Sequence, residues 1–287
     1  MGDVDLRTTL GASPIQRDVV VVQGEGAIEF LQGQLSQDVS KVGMHESARS
    51  LLLQPTGRVD AWVRFTRTGE TEALVDVDAG HGEAVRTRLQ RFKLRTKAEL
   101  ELAHWSGLAV RGPGAEDVDV PAGITALAAG WPGVEGVDLL SDGELALAGV
   151  PYVDPSVLEA LRVECGVPAR GAELTEDTIP AEAGQWLIDA SVSFTKGCFT
   201  GQELVARIDS RGGNVPHPLR GVLMVGDPPP VGADVVHDGA VVGTVTSTAR
   251  SAALGAVAIA RVGRAVVAGT EVEIDQRPAT VADLPLR

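Results

Sequence analysis

The chain predicts an α+β protein: two mixed α+β subdomains followed by a small C-terminal β-barrel. Three observations carry that expectation. A β-branched run, Val19-Val20-Val21-Val22, leads through a glycine turn into a helical pattern. Strand-like and helix-like segments then alternate irregularly, which suits a sheet with helices on one side. After about residue 216 the helical pattern stops and short β-type runs follow at close spacing.

The elements follow in order. After the valine run and Gly24-Glu25-Gly26, residues Ala27, Phe30 and Leu31 recur at helical spacing, with Leu35 beyond them. Leu51-Leu52-Leu53 and Val59 to Phe65 read as strands joined by a turn at Pro55-Thr56-Gly57. Glu72 to Val77 is a further strand, and Val85, Leu89 and Phe92 then share a helical face. Residues 106–150, rich in Gly, Ala and Val, predict short strands and loops. Asp154-Pro155 opens a helix, Asp as cap and Pro in the first turn. Val157, Leu158, Leu161 and Cys165 form its apolar stripe and Gly166 stops it. Leu219 to Val225, Asp234 to His237, Ala240 to Thr246 and Ala256 to Val262 are the barrel runs, with Asp238-Gly239 as a hairpin turn. Domain limits of 1–105, 106–215 and 216–287 follow.

With 287 residues, 44% of them apolar, the chain can bury a sizeable core. Its formal net charge of -14 disfavours broad nucleic-acid binding but leaves room for a local basic pocket. No apolar run approaches the roughly 20 residues of a membrane span. Met1 to Leu10 carries Asp3, Asp5 and Arg7 and no secretory apolar core, so a cytoplasmic protein with thiols rather than a disulfide is expected. A monomer is the default.

The segment Thr195-Lys196-Gly197-Cys198-Phe199-Thr200-Gly201-Gln202-Glu203 holds the most chemistry. Thr200 and Glu203 have capping-box spacing, which predicts a helix from about Gly201 to before Gly212-Gly213. Cys198 then lies just before a helix N-terminus with Lys196 two residues away, and both positive influences favour thiolate. The residues alone leave two readings open, a reactive thiol and a structural cysteine beside a surface lysine. Cys165, on the same face as Leu158 and Leu161, reads as core.

The run Lys196 to Glu203, continued by Leu204-Val205-Ala206-Arg207 and Arg211-Gly212, resembles the signature of the YgfZ family. Phe30 to Val39 is similar to that family's first helix and following loop. Leu161 to Pro168 and Ile179 to Gly184 resemble segments shared with the glycine-cleavage T-protein. The resemblance implies a T-protein-like, folate-binding fold. It further implies tetrahydrofolate or a one-carbon derivative as ligand, and a role in assembly or maintenance of iron-sulfur enzymes. Partners are then iron-sulfur proteins or their assembly factors, with an indirect effect on tRNA modification. By the same resemblance Glu182 holds the pterin edge, since a carboxylate matches two parallel N–H donors. Arg211, Arg207 and Gln202 become ligand contacts, and Cys198 with Lys196 the reactive centre. Glu182 and Cys198 should then face one shared cavity.

One departure bears on catalysis. Asp78-Ala79-Gly80 resembles the T-protein turn that precedes an essential acidic residue, but Val85 occupies that residue's place. Valine cannot take up a proton, so aminomethyl transfer is not expected. Folate-dependent one-carbon transfer and a ligand-free scaffold are the alternatives. A dinucleotide site at Gly24-Glu25-Gly26 is rejected, because Glu29 stands where the third glycine belongs.

Overall fold

The computed structural model describes residues 4–287. The secretory-leader reading of Met1 to Leu10 thus falls partly outside the described residues, at positions 1–3. Strand β1 (Gly11–Gln23) extends the valine run at both ends and becomes a central strand of a seven-stranded antiparallel sheet. Helix α1 (Ala27–Gln34) follows. Gly24, at φ 130°, lies against the backbone of Lys97, where a side chain would not fit; the glycine serves packing rather than a phosphate.

Strands β2 (Ser47–Leu53), β3 (Val59–Arg67) and β4 (Glu72–Asp78) precede helix α2 (Gly82–Lys93). Strands β5 (Glu99–Arg111), β6 (Thr125–Ala128) and β7 (Gly136–Ser141) complete the sheet, in the order β2-β3-β4-β1-β5-β7-β6. The boundary expected between residues 105 and 106 therefore falls inside β5, and β6 and β7 continue the first sheet instead of starting another. Both α1 and α2 cover one sheet face. Phe30, Leu31, Val85 and Leu89 pack there on Val20, Val63, Phe65, Val75 and Val77.

Helix α3 (Pro155–Cys165) starts where Asp154 accepts a hydrogen bond from the Ser156 N–H, and ends at left-handed Gly166, φ 67°. A 3-10 turn at Pro180–Ala183, helix α4 (Gln185–Ser191) and helix α5 (Gln202–Asp209) follow. The barrel closes as β10-β11-β8-β13-β12-β9, from β8 (Leu219–Met224), β9 (Asp234–His237), β10 (Ala240–Ser251), β11 (Gly255–Val262), β12 (Glu271–Ile274) and β13 (Arg277–Ala282). Asp238 and Gly239, at φ 50° and 76°, make the expected hairpin turn between β9 and β10.

Strand β11 is buried on both sides. Ala256, Ala258 and Ala260 fill the barrel, where small side chains are needed, while Val257 and Ile259 pack outward against α4 and Val205 of α5. A polar relay reinforces the junction. Arg162 of α3 donates to Ser247 Oγ at 2.7 Å, and Ser247 donates to buried Glu173 at 2.7 Å. The barrel is thus fixed to the body by apolar area and by satisfied buried polar groups.

Candidate functional site

Period-2 alternation puts the odd charges of five strands on the sheet face opposite α1 and α2. Arg64 sits between Val63 and Phe65, Asp76 between Val75 and Val77, and Asp138 between Val137 and Leu139; the valines, Phe65 and Leu139 are buried core. The register sets Arg64 opposite Asp76 and Arg17 opposite Asp78. The outcome is an alternating row. Asp78 pairs with Arg17, and Arg17 Nε donates to Asp76 at 2.8 Å. Arg64 bridges Asp76 at 2.9 Å and Asp138 at 2.8 Å, and Arg111 donates to Asp138 at 2.7 Å. Gly136 leaves the space Arg111 needs, since a Cβ there would stand 2.7 Å from Arg111 Cδ.

Electrostatics follow the geometry. Burial by itself would raise the Asp138 carboxyl, but Arg111 and Arg64 hold it well below the ordinary carboxylate range. Asp76 is lowered likewise: burial opposes it, and Arg64 and Arg17 prevail. Arg17 and Arg64 are raised against their own burial by the same carboxylates.

Arg17, Asp78, Arg111 and Asp138 of this row floor a cavity of about 230 Å3 between the sheet and α3, with Arg64 and Asp76 buried beneath. Leu158 and Arg162 of α3 close one side, and Trp62 and Trp131 stand at its walls. Each indole carries a guanidinium on its face: Arg49 lies 4.7 Å from the Trp62 ring centroid and Arg111 lies 4.3 Å from that of Trp131. Trp62 is held further by Ser191 Oγ, 2.9 Å from its Nε1, and by an edge contact with Trp186. Flat walls and fixed cations suit a planar, polar ring; the volume is below the 300–1,000 Å3 typical of whole drug-sized ligands, so it fits one end of a longer molecule.

The Lys196 to Glu203 segment lies elsewhere, docked on the C-terminal end of α1. Lys196 Nζ donates to the carbonyl oxygens of Gln32, Leu35 and Gln37 at 2.6, 2.7 and 2.9 Å. Burial pushes this ammonium down to about 8, while three acceptors at a helix C-terminus hold it in place. Its three donors are committed to that clamp, so none is left to hydrogen-bond the Cys198 sulfur. Cys198 is exposed. Replacing Lys196 by methionine should remove the donor from three carbonyls and cost about 1–3 kcal/mol. A matching fall in the denaturant midpoint, with loss of amide protection confined to residues 193–200, checks it; an unchanged midpoint contradicts it.

The expected capping box does not form. Helix α5 begins after Gly201, itself the N-cap at φ 81°, and Thr200 makes no cap hydrogen bond. The reason is close backbone packing: a Cβ on Gly201 would stand 2.5 Å from Gln54 O and 3.1 Å from Gly57 Cα. Gln202 instead accepts from the Phe199 N–H at 3.2 Å. Arg207 is exposed on α5, and Arg211, also exposed, lies past the helix end in the next turn; neither lines the central cavity. Glu182 is buried, but its carboxylate accepts from Arg261 of β11 at 2.7 Å and from the Ile179 N–H at 3.2 Å. Both contacts fall on Oε2, and Oε1 has no hydrogen bond among the described residues. Neither Glu182 nor Cys198 lines the central cavity, and the shared cavity expected for them is not found there. Val85 points into the core, whereas Asp78 does line the cavity, with its side chain 48% exposed. Sequence reasoning missed Trp62, Trp131 and the arginine row; the available signal was single charges inside otherwise apolar strand runs.

A seven-stranded α+β body closed by a docked six-stranded barrel is the T-protein fold. The crystal structure of the glycine cleavage system aminomethyltransferase T from Bartonella henselae superposes with a TM-score of 0.79, covering 98% of this chain and 87% of that one at 21% identity. Residues 218–286 match the family model of the glycine cleavage T-protein C-terminal barrel domain. An aminomethyltransferase of Thermus thermophilus is 30% identical, over 92% of this chain and 83% of its own length. A mitochondrial iron-sulfur cluster assembly factor IBA57 homolog of Phaeosphaeria nodorum is 29% identical, over 70% of this chain and 53% of its own. The chain belongs to the glycine-cleavage T-protein family, as a YgfZ-like member. Among the described residues no helix is long and apolar enough to cross a membrane.

Proposed function

We propose that this chain binds tetrahydrofolate, or a one-carbon derivative of it, in the central cavity, and that it serves the assembly or maintenance of iron-sulfur enzymes. The observation that carries the reading is the pair of indoles, Trp62 and Trp131, at the walls of a cavity floored by fixed charges. Aromatic faces stack a pterin, and the guanidinium and carboxylate groups meet its polar edge. The relative named as an iron-sulfur cluster assembly factor supports the cellular role. Cys198, exposed on a loop clamped by Lys196, is the thiol such a role would use, acting on a partner rather than on the folate. Val85 in the core argues against aminomethyl transfer in the family's manner. Asp78, a cavity carboxylate paired with Arg17, and the aminomethyltransferase relative favour a one-carbon transferase instead.

Titration calorimetry with tetrahydrofolate tests the first half. Wild type should bind, and Trp62→Ala should bind about tenfold or more weakly through loss of stacking area. No heat with wild type at millimolar ligand refutes folate binding. Cys198→Ala should bind folate as wild type does, yet fail to restore iron-sulfur enzyme activity in a deletion strain. Full restoration removes the thiol from the mechanism. Turnover of an aminomethyl donor by wild type, lost in Asp78→Asn, would establish the transferase.

A further inference from the structure

The ion row has one cation too many. The guanidinium groups of Arg17, Arg49, Arg64 and Arg111 face the carboxylates of Asp76, Asp78 and Asp138, four against three. Arg49 is the surplus member. Both Asp138 oxygens are already taken, by Arg64 and by Arg111, and Arg49 Nη2 stands 4.0 Å from the nearer one. Its only hydrogen bond among the described residues is to the Ala129 carbonyl, at 3.2 Å. Its Nε is buried and has no acceptor among the described residues, and its side chain is only 12% exposed. Two like charges, Arg64 and Arg17, are near it, and burial together with them pushes Arg49 down to about 9. A buried charge whose nearest counter-ion is 4.0 Å away and already shared by two other guanidiniums opposes folding, so the protein carries a local cost that packing alone does not explain.

Arg49 lines the cavity, and its guanidinium lies on the Trp62 ring. We propose that Arg49 is an anion anchor: the cavity takes a planar ligand that brings one negative charge to this guanidinium and so completes the ion row. The proposal deepens the folate reading, on which the identity of the ligand rests, by stating which chemistry enters the cavity. A carboxylate fits best, because its two oxygens match the guanidinium fork. A folate offers that chemistry from two sources, the carboxylates of its glutamate end and the carbonyl edge of an ionised pterin ring. The aromatic ring next to the charge would then lie on the indole wall.

An anchor and a structural arginine predict opposite things. If Arg49 served stability, replacing it would weaken the fold. If it waits for a ligand, removing its charge relieves the unliganded protein, as is common where function is built against stability. Thermal unfolding of the full chain without ligand is the first readout: Arg49→Met should melt at or a few degrees above the wild-type midpoint. A clear fall overturns the proposal. Binding is the second readout. p-Aminobenzoylglutamate and a reduced pterin lacking the tail are titrated separately into wild type and Arg49→Met. The fragment that supplies the charge should bind wild type at least about tenfold more tightly than the variant, and Arg49→Lys should keep part of the difference. The fragment that shows the difference identifies the source.

Benzoate, a planar anion that owes nothing to folate, separates this proposal from the reading beneath it. It should raise the wild-type midpoint in a dose-dependent way and leave Arg49→Met unmoved. If tetrahydrofolate does not bind while benzoate behaves so, the folate reading falls and the anchor stands. If no anionic probe distinguishes wild type from Arg49→Met, the anchor is overturned whether or not tetrahydrofolate binds.

Discussion

Asp138→Asn should destabilise the protein by about 3–5 kcal/mol, the usual consequence of removing one partner from a buried ion network. Asparagine keeps the shape of the side chain but withdraws the charge that Arg64 and Arg111 share and that Arg49 approaches. For a chain of this size the thermal midpoint should fall by roughly 10 °C. The pH dependence gives a second check. Asp138 and Asp76 are lowered in the folded protein relative to ordinary carboxyls. A depressed folded value means that the unfolded chain binds more protons as the medium is acidified. The stabilisation is thus complete above the unfolded carboxyl range of about 4 and is lost progressively as pH falls below it. Acid unfolding of Asp138→Asn should be less steep than that of wild type. Asp177→Asn, at an exposed pair with Arg58, is the control and should change stability by less than about 1 kcal/mol. Equal effects at the two sites would contradict the buried-row account.

Gly201→Ala should cost about 2–5 kcal/mol, from two separable causes. At φ 81° an L-residue carries backbone strain of about 1–2 kcal/mol. The new Cβ would also meet the Gln54 carbonyl at 2.5 Å and Leu53 Cβ at 2.8 Å, forcing the β2–β3 turn away, which adds about 1–3 kcal/mol. The same shift should disorder the loop that presents Cys198, so alkylation of that thiol should lose its wild-type rate. Gly197→Ala is the matched comparison. Nothing lies within 4 Å of a Cβ there and its φ is not positive, so denaturation should be nearly unchanged. If alanine at both positions behaves alike, the glycine at 201 is not there for contact with the turn.

Much of the architecture was legible from local signals, and the reasons are physical. Asp154-Pro155 and Gly166 bound α3 because capping and left-handed geometry depend on a few adjacent residues. Asp238-Gly239 marks a hairpin for the same reason. Four of the six barrel strands were visible as short β-branched runs; β12, β13 and their turn at Asp275-Gln276 were not, since both turn residues adopt positive φ without a glycine. Strand β5 was split by the expected domain limit because only its second half, Leu108 to Val110, is buried and apolar. The exposed first half is ordered by pairing along β1, a long-range contact that no local pattern reports.

The site was less legible than the fold. Thr200 and Glu203 have the spacing of a cap, yet close approach of Gly201 to Gly57 decides the geometry, and those glycines are far apart in sequence. Lys196 resembled a neighbour that tunes Cys198, but its acceptors come from residues 32–37, more than 150 positions away. Arg17, Arg64, Asp76 and Asp138 each look like an ordinary surface charge. They become a buried row only when the register sets them opposite one another, and that register is a property of the whole sheet.

The placement of the indoles has an optical consequence. Of the four tryptophans, Trp62 and Trp131 stand at the cavity, Trp186 touches Trp62, and Trp105 pairs across the sheet with Arg17, which lines the cavity. Two of the four indoles that emit under ultraviolet excitation are therefore rings a stacked ligand would cover. Occupancy should be readable as quenching in the native chain, with no dye attached.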